Sequence, residues 1–212
     1  MTEGRGAGSS KTYDVYRHIL IAMKKTSSSR KDVTHERIVG AAARAIRRSG
    51  YDGAGVAQIM SDAGLTHGGF YAHFASREAM LAEAADRAGA EAVAASARIA
   101  AAAPQQKALQ SIIRAYLSKA HHDNVATGCP IAALGSEMAR QAPEVRRAAT
   151  RHIKESIDLM ARQSPNWGRA NAHEQALVTL STMVGALMLA RAVDDPRLSD
   201  ALREAAVKNL TA

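Results

Sequence analysis

Ala63-Gly64-Leu65-Thr66-His67-Gly68-Gly69-Phe70-Tyr71-Ala72-His73-Phe74-Ala75-Ser76-Arg77-Glu78 is the stretch on which the reading of this chain turns. Gly64 suits the left-handed turn that closes a helix. Leu65 plugs the space behind that turn, and Thr66 stands where a next short helix would be capped. Inside that helix two adjacent glycines, Gly68 and Gly69, each cost on the order of 1 kcal/mol relative to alanine. A purely core-filling segment has little reason to carry them; a segment that brings its backbone close to DNA does. Phe70 and Phe74, four apart, share one face and are expected in the core. Tyr71 and His73 then point elsewhere, with hydrogen-bonding tips. Ser76 is the expected cap of a longer helix that Pro104 ends.

Upstream, Val56 to Ala63 reads as a short helix with Ile59 and Met60 inward, entered through Gly53-Ala54-Gly55. Before it, Ile38, Ala41, Ala42, Ala45 and Ile46 recur at helical spacing and define a buried stripe. That first helix is expected to begin after Thr34, as N-cap, and to end at Ser49-Gly50. Three short helices with a glycine turn between the second and third describe a helix-turn-helix.

Residues 36–80 resemble the DNA-binding domain of the TetR family of transcriptional regulators. The resemblance rests on Arg37-Ile38-Val39, Gly50-Tyr51-Asp52-Gly53, Val56-Ala57-Gln58-Ile59-Met60 and, above all, the run from Ala63 to Glu78. It implies that Thr66, His67, Gly68 and Gly69 lie at the major groove and that Tyr71 and His73 contact phosphates. It also implies that Thr34 and Arg77, each at a helix start, clamp the DNA backbone. The chain departs from the pattern at Gly55, where a hydroxyl cap is common, and at His67, where Lys or Arg is common; histidine offers guanine no bidentate fork. The resemblance further implies a homodimer on a palindromic double-stranded DNA operator, most often a repressor, released by a small-molecule effector whose identity the sequence does not give. It implies no enzymatic activity and no cofactor.

The fold class expected is all-α: an N-terminal three-helix helix-turn-helix DNA-binding domain (32–77) plus a C-terminal helical ligand-binding and dimerisation bundle (78–212), with helices at about 105–122, 130–140, 143–163, 171–193 and 199–211. Residues 1–31 read as a basic tail, disordered by composition, with seven Lys/Arg against two acids. Its two readings are a DNA-strengthening arm and a merely solvated tail. Most of the net charge of +8 resides there, so bulk charge says little about the rest.

In the last third, Leu177, Leu180, Val184, Leu187 and Met188, interleaved with Ser181 and Gly185, give a stripe along which two helices can approach closely; the resemblance makes it a dimer face. Tyr116, Cys129, Met138, Met160 and Met183 are the candidates for an effector cavity, since methionine adapts to varied apolar ligands and equally fills irregular cores. Cys129, in Gly128-Cys129-Pro130, reads either as a thiol sensor at a helix N-terminus or as a small buried residue at a turn. His121-His122-Asp123 is not a metal site by this reading, because adjacent residues diverge on a helix. One cysteine precludes an internal disulfide and no apolar run reaches 18 residues, so a cytoplasmic chain without a membrane span is expected. No Gly-rich phosphate loop, paired-cysteine spacing or nucleophile elbow supports an enzyme. The other open alternative is an architectural DNA-binding protein without an effector.

Overall fold

A computed structural model describes residues 29–212, all helices and connections with no strand among them. The described residues divide into two units at residue 38, the first ending at Arg37 and the second running from Ile38 to Ala212. In the first, helix α1 (Arg30–Gly53) begins with a reciprocal capping box. The Ser29 hydroxyl accepts the Asp32 N–H at 3.1 Å, and the Asp32 carboxylate accepts the Ser29 N–H at 2.9 Å. The helix therefore starts before Thr34, the expected cap. Thr34 lies within the first turns, where its hydroxyl donates to the Arg30 carbonyl at 2.9 Å. The expected basic tail lies outside the described residues except for its last three.

In the second unit, the predicted stripe of Ile38, Ala41, Ala42, Ala45 and Ile46 is buried. The helical path breaks at Gly50 (φ +76°), where the first helix was expected to end. Helix α2 (Val56–Asp62) follows, then Gly64 at φ +68°, a left-handed conformation that glycine adopts without strain. The segment His67–Ala72, expected as the third short helix, is a 3₁₀ turn; Thr66 stands at its N-cap but makes no side-chain capping bond. Helix α3 (Arg77–Ala102) is capped by Ser76, whose hydroxyl accepts the Ala79 N–H at 3.1 Å.

Helices α4 (Ala108–Tyr116), α5 (Lys119–Asp123), α6 (Pro130–Met138), α7 (Pro143–Gln163), α8 (Ala172–Ala192) and α9 (Pro196–Leu210) complete the bundle. The single helix expected over 105–122 is divided, because Ser118 leaves the helical path and caps α5, accepting the His121 N–H at 3.2 Å. The most extensive helix–helix packing is between α3 and α7. Small residues make it close: Ala84, Ala85 and Ala88 face it, and a Cβ on Gly89 would lie 2.3 Å from the His152 ring. His152 places Nε2 2.6 Å from Asp86 and Nδ1 2.7 Å from Glu155. A carboxylate thus stands at each ring nitrogen. Burial alone would raise the Asp86 carboxyl, yet Arg151 and His152 hold it below the usual range.

Helix α8 is, among the described residues, the one helix long and apolar enough by composition to cross a membrane, and only a third of its apolar window is buried. Leu180, Met183 and Leu187 pack into the core shared with α4, α7 and α9. Leu177, Val178 and Leu189 remain exposed.

The turn at Gly64 yields a direct expectation. Alanine there must keep the left-handed backbone at a cost of about 1–2 kcal/mol. Gly64→Ala should lower the unfolding free energy by that amount in urea titration; an unchanged midpoint would mean the turn relaxes to another conformation.

Candidate nucleic-acid interface and the adjoining cavity

Phe70 and Phe74 are buried and stacked, ring centroids 5.5 Å apart, and they fix the His67–Ala72 segment to the protein. Tyr71 sits edge-on to Phe70 at 5.1 Å and is 75% exposed. Thr66, His67 and Gly68 are exposed beside it, and Gly69 and His73 are half-buried. Neither Gly68 nor Gly69 has a left-handed backbone. A Cβ on Gly68 would meet nothing within 4 Å, and one on Gly69 would make only an ordinary 3.6 Å contact with Met60. Nothing within the protein calls for glycine at either position. Gly55 caps α2 through its extended backbone alone, without a side-chain bond.

Arg77, expected at a phosphate, is turned inward. Its guanidinium donates to the Tyr51 carbonyl and, at 3.5 Å, to the Ala54 carbonyl, closing the connection between α1 and α2. The other side of the same residue is held from the bundle: the Tyr51 N–H donates to the Glu137 carboxylate of α6 at 2.8 Å. That carboxylate lies so close that a Cβ on Gly50 would be 2.6 Å from it, so Gly50 serves both its left-handed φ and this approach. Nearby, Arg47 is buried, pairs with Glu91 at 2.7 Å and donates to the Gly128 carbonyl at 3.4 Å. These bonds join residues 38–77 to the bundle beside the apolar core that the two share, within one compact unit. The sequence reading missed Arg47, Tyr51 and Glu137 in these roles. Positions 51 and 137 are 86 apart, and no periodicity links them.

A cavity of about 200 Å³ lies in the bundle. Of the expected lining residues, Tyr116, Cys129, Met138 and Met160 are there, whereas Met183 is fully buried in the core instead. The wall also includes Tyr51, His121 and His152. His121 accepts the Cys129 N–H on Nε2 at 3.0 Å and meets the Tyr116 carbonyl with Nδ1 at 2.5 Å. Only the neutral Nδ1–H tautomer satisfies both bonds, and burial lowers its pKa accordingly. Cys129 is buried at the N-cap of α6, ahead of Pro130. Burial pushes the Tyr51 phenol up to about 12, with a further push from the Glu137 charge. Burial likewise holds Tyr116 well above the usual value, and the neighbouring Cys129 thiol raises it further. Among the described residues no cluster of three metal-ligating side chains occurs.

Comparison with known proteins bears on both halves. Residues 38–84 match the family model described as bacterial regulatory proteins, tetR family. Residues 106–206 match the model for the transcriptional regulator LmrA/YxaF-like C-terminal domain. An uncharacterized HTH-type transcriptional regulator of Mycobacterium tuberculosis is 34% identical over 165 residues, covering 74% of this chain and 83% of that one. A TetR transcriptional regulator of Chloroflexus aurantiacus has a similar structure (TM-score 0.70, 25% identity, 85% and 96% of the two chains). So does NemR of E. coli in its reduced form (TM-score 0.69, 20% identity, 84% and 94%).

The open surroundings of Gly68 separate folding from recognition. Gly68→Ala should leave stability unchanged or raise it by up to about 1 kcal/mol. It should also weaken binding of a selected DNA site in fluorescence anisotropy. Full affinity in the variant would mean that the backbone at position 68 does not approach DNA.

Proposed function

Because this chain belongs to the TetR family of bacterial transcriptional regulators, we propose that it is a ligand-responsive repressor that binds a palindromic operator as a dimer and is released by a small molecule. It is a DNA-binding regulator and not an enzyme. In our reading 32–77 recognises DNA in the cytoplasm, and 78–212 senses the effector and dimerises. Thr66, His67, Gly68 and Gly69 meet the groove. Tyr71 and His73 meet phosphates. Thr34 is a further phosphate candidate. Arg77 acts as a positioning residue, through the Tyr51 and Ala54 carbonyls.

The observation that carries ligand control is Tyr51. Its side chain lines the cavity, while its N–H is held by Glu137 and its carbonyl by Arg77, at the start of α3. A molecule entering the cavity therefore pushes on a residue whose backbone belongs to the DNA-reading end. A ligand favouring one arrangement of that joint shifts the population toward it by its differential affinity. Two heads must meet half-sites about 34–36 Å apart, so a displacement of a few ångströms misaligns one.

For the dimer, the outer stripe of α8 runs through the exposed Val178, Ser181 and Leu189 and the half-buried Gly185, with exposed Leu177 and half-buried Val184 and Met188 along its margin and Leu198 near the start of α9. Leu180 and Leu187, expected on this face, are instead used inside the protomer, at 7% and 0% exposure. We assign the interface to the outer stripe.

Three measurements test this reading. Selection from a random DNA pool should return an inverted repeat with half-sites about one helical turn apart; binding without an inverted repeat, with a steep salt dependence, would point to an architectural protein instead. In sedimentation, Leu189→Glu should give folded monomers and Leu187→Glu an unfolded chain; a dimeric Leu189→Glu would move the interface elsewhere. Glu137→Ala leaves the Tyr51 N–H unpaired and should reduce operator affinity by about fivefold or more although it lies far along the chain from the groove residues. Unchanged affinity would remove the joint from the coupling.

A further inference from the structure

The cavity wall carries two phenols in the same unusual condition. The hydroxyls of Tyr51 and Tyr116 are both buried, and among the described residues neither makes a well-formed hydrogen bond; the Cys129 thiol is the polar neighbour of Tyr116. A buried hydroxyl left unpaired forfeits stability, and native structures keep few such groups without a reason. Here both belong to side chains bordering one partly open cavity, so a guest there, with a small side-chain adjustment, can supply the missing partner to either.

The charged side chains on the cavity wall already have partners. His121 is held neutral by its two hydrogen bonds. His152 is flanked by Asp86 and Glu155, and Arg151 also pairs with Asp86. Glu137 is occupied by the Tyr51 N–H. Arg191 is not among the wall residues; it donates to the His121 and His122 carbonyls and has no acidic partner among the described residues. A charged guest would find no free counter-ion on the wall itself, and burying it there is costly. Much of the remaining wall is alanine, isoleucine and methionine, which favours an apolar body.

Size sets the last condition. An apolar cavity of about 150 Å³ admits benzene, so about 200 Å³, partly open, admits a one-ring compound of roughly eight heavy atoms or slightly more. We propose that the cavity takes a compact, uncharged, largely apolar one-ring compound bearing a hydrogen-bonding oxygen, which the phenols of Tyr51 and Tyr116 recognise. This class rests on the effector-sensing reading above and narrows it.

Three probes of nearly equal shape test it on the full chain by calorimetry at neutral pH: acetophenone, its hydrocarbon counterpart α-methylstyrene, and the anion benzoate. Acetophenone should bind about tenfold more tightly than α-methylstyrene, the effect of one net hydrogen bond, and more tightly still than benzoate. In the double variant Tyr51→Phe/Tyr116→Phe, acetophenone should fall to the level of α-methylstyrene while α-methylstyrene holds its affinity. Each single variant should melt no lower than the parent, because it deletes an unpaired hydroxyl; this checks that any loss of binding is not loss of fold. Ala95→Phe, which fills the cavity from α3, should abolish binding of acetophenone and α-methylstyrene. The proposal is overturned by α-methylstyrene equalling acetophenone, by benzoate binding best, by no acetophenone binding, or by an acetophenone preference that survives the double variant. Failure of the wider reading looks different: acetophenone binds with the expected dependence on the phenols, yet operator affinity does not change when it is added.

Discussion

The backbone of Tyr51 is held from two directions, and the arrangement of the molecule depends on that grip. Glu137 at the end of α6 accepts its N–H, and Arg77 at the start of α3 donates to its carbonyl. An exposed loop ordinarily satisfies its backbone groups with water; here charged side chains from two other helices take that role. Both bonds involve an ionised partner and are therefore of the stronger kind. The left-handed Gly50 makes room for the carboxylate. The helix-turn-helix end is thus joined to the bundle by directional bonds as well as by apolar packing, and directional bonds have discrete alternatives in a way that apolar contact does not.

Composition explains why a cavity exists at that joint. With aromatics at 4%, the bundle relies on small side chains for close approach. Where α3 and α7 meet directly, Ala88 and Gly89 bring the helices together and His152 fills the remaining gap. Where the helices diverge, the same small residues cannot fill the space: Ala92, Ala95, Ala115 and Ala149 line the void. Close packing in one layer and emptiness in the next follow from a single choice of residue size, since an interior otherwise tolerates few voids larger than a water molecule.

Helix α8 carries a related economy. Its inner edge, Leu180, Met183 and Leu187, completes the second core, while its outer edge alternates small and apolar residues that no described part of the protomer covers. A helix that is apolar on nearly every side needs burial on nearly every side. Within the protomer only a third of its apolar window is buried.

The sequence by itself determined the all-helical architecture, the helix-turn-helix and most helix ends. Glycine, proline and serine at Gly50, Gly64, Ser76, Pro104 and Pro143 act locally, through backbone dihedrals and missing or capping donors, so their effects can be read without the fold. Four of the five cavity candidates read from it, Tyr116, Cys129, Met138 and Met160, do line the cavity, because they fit the residue types that border adaptable apolar spaces. Only the tertiary structure decided which side of α8 faces inward. Its apolar residues ring the helix, so periodicity could not assign Leu187 to the core and Leu189 to the surface. Only the tertiary structure turned Arg77 onto the Tyr51 carbonyl and brought Glu137 to the Tyr51 N–H. A charged side chain has several partners within reach of its rotamers, and which one it takes depends on helices that the chain supplies dozens of residues away.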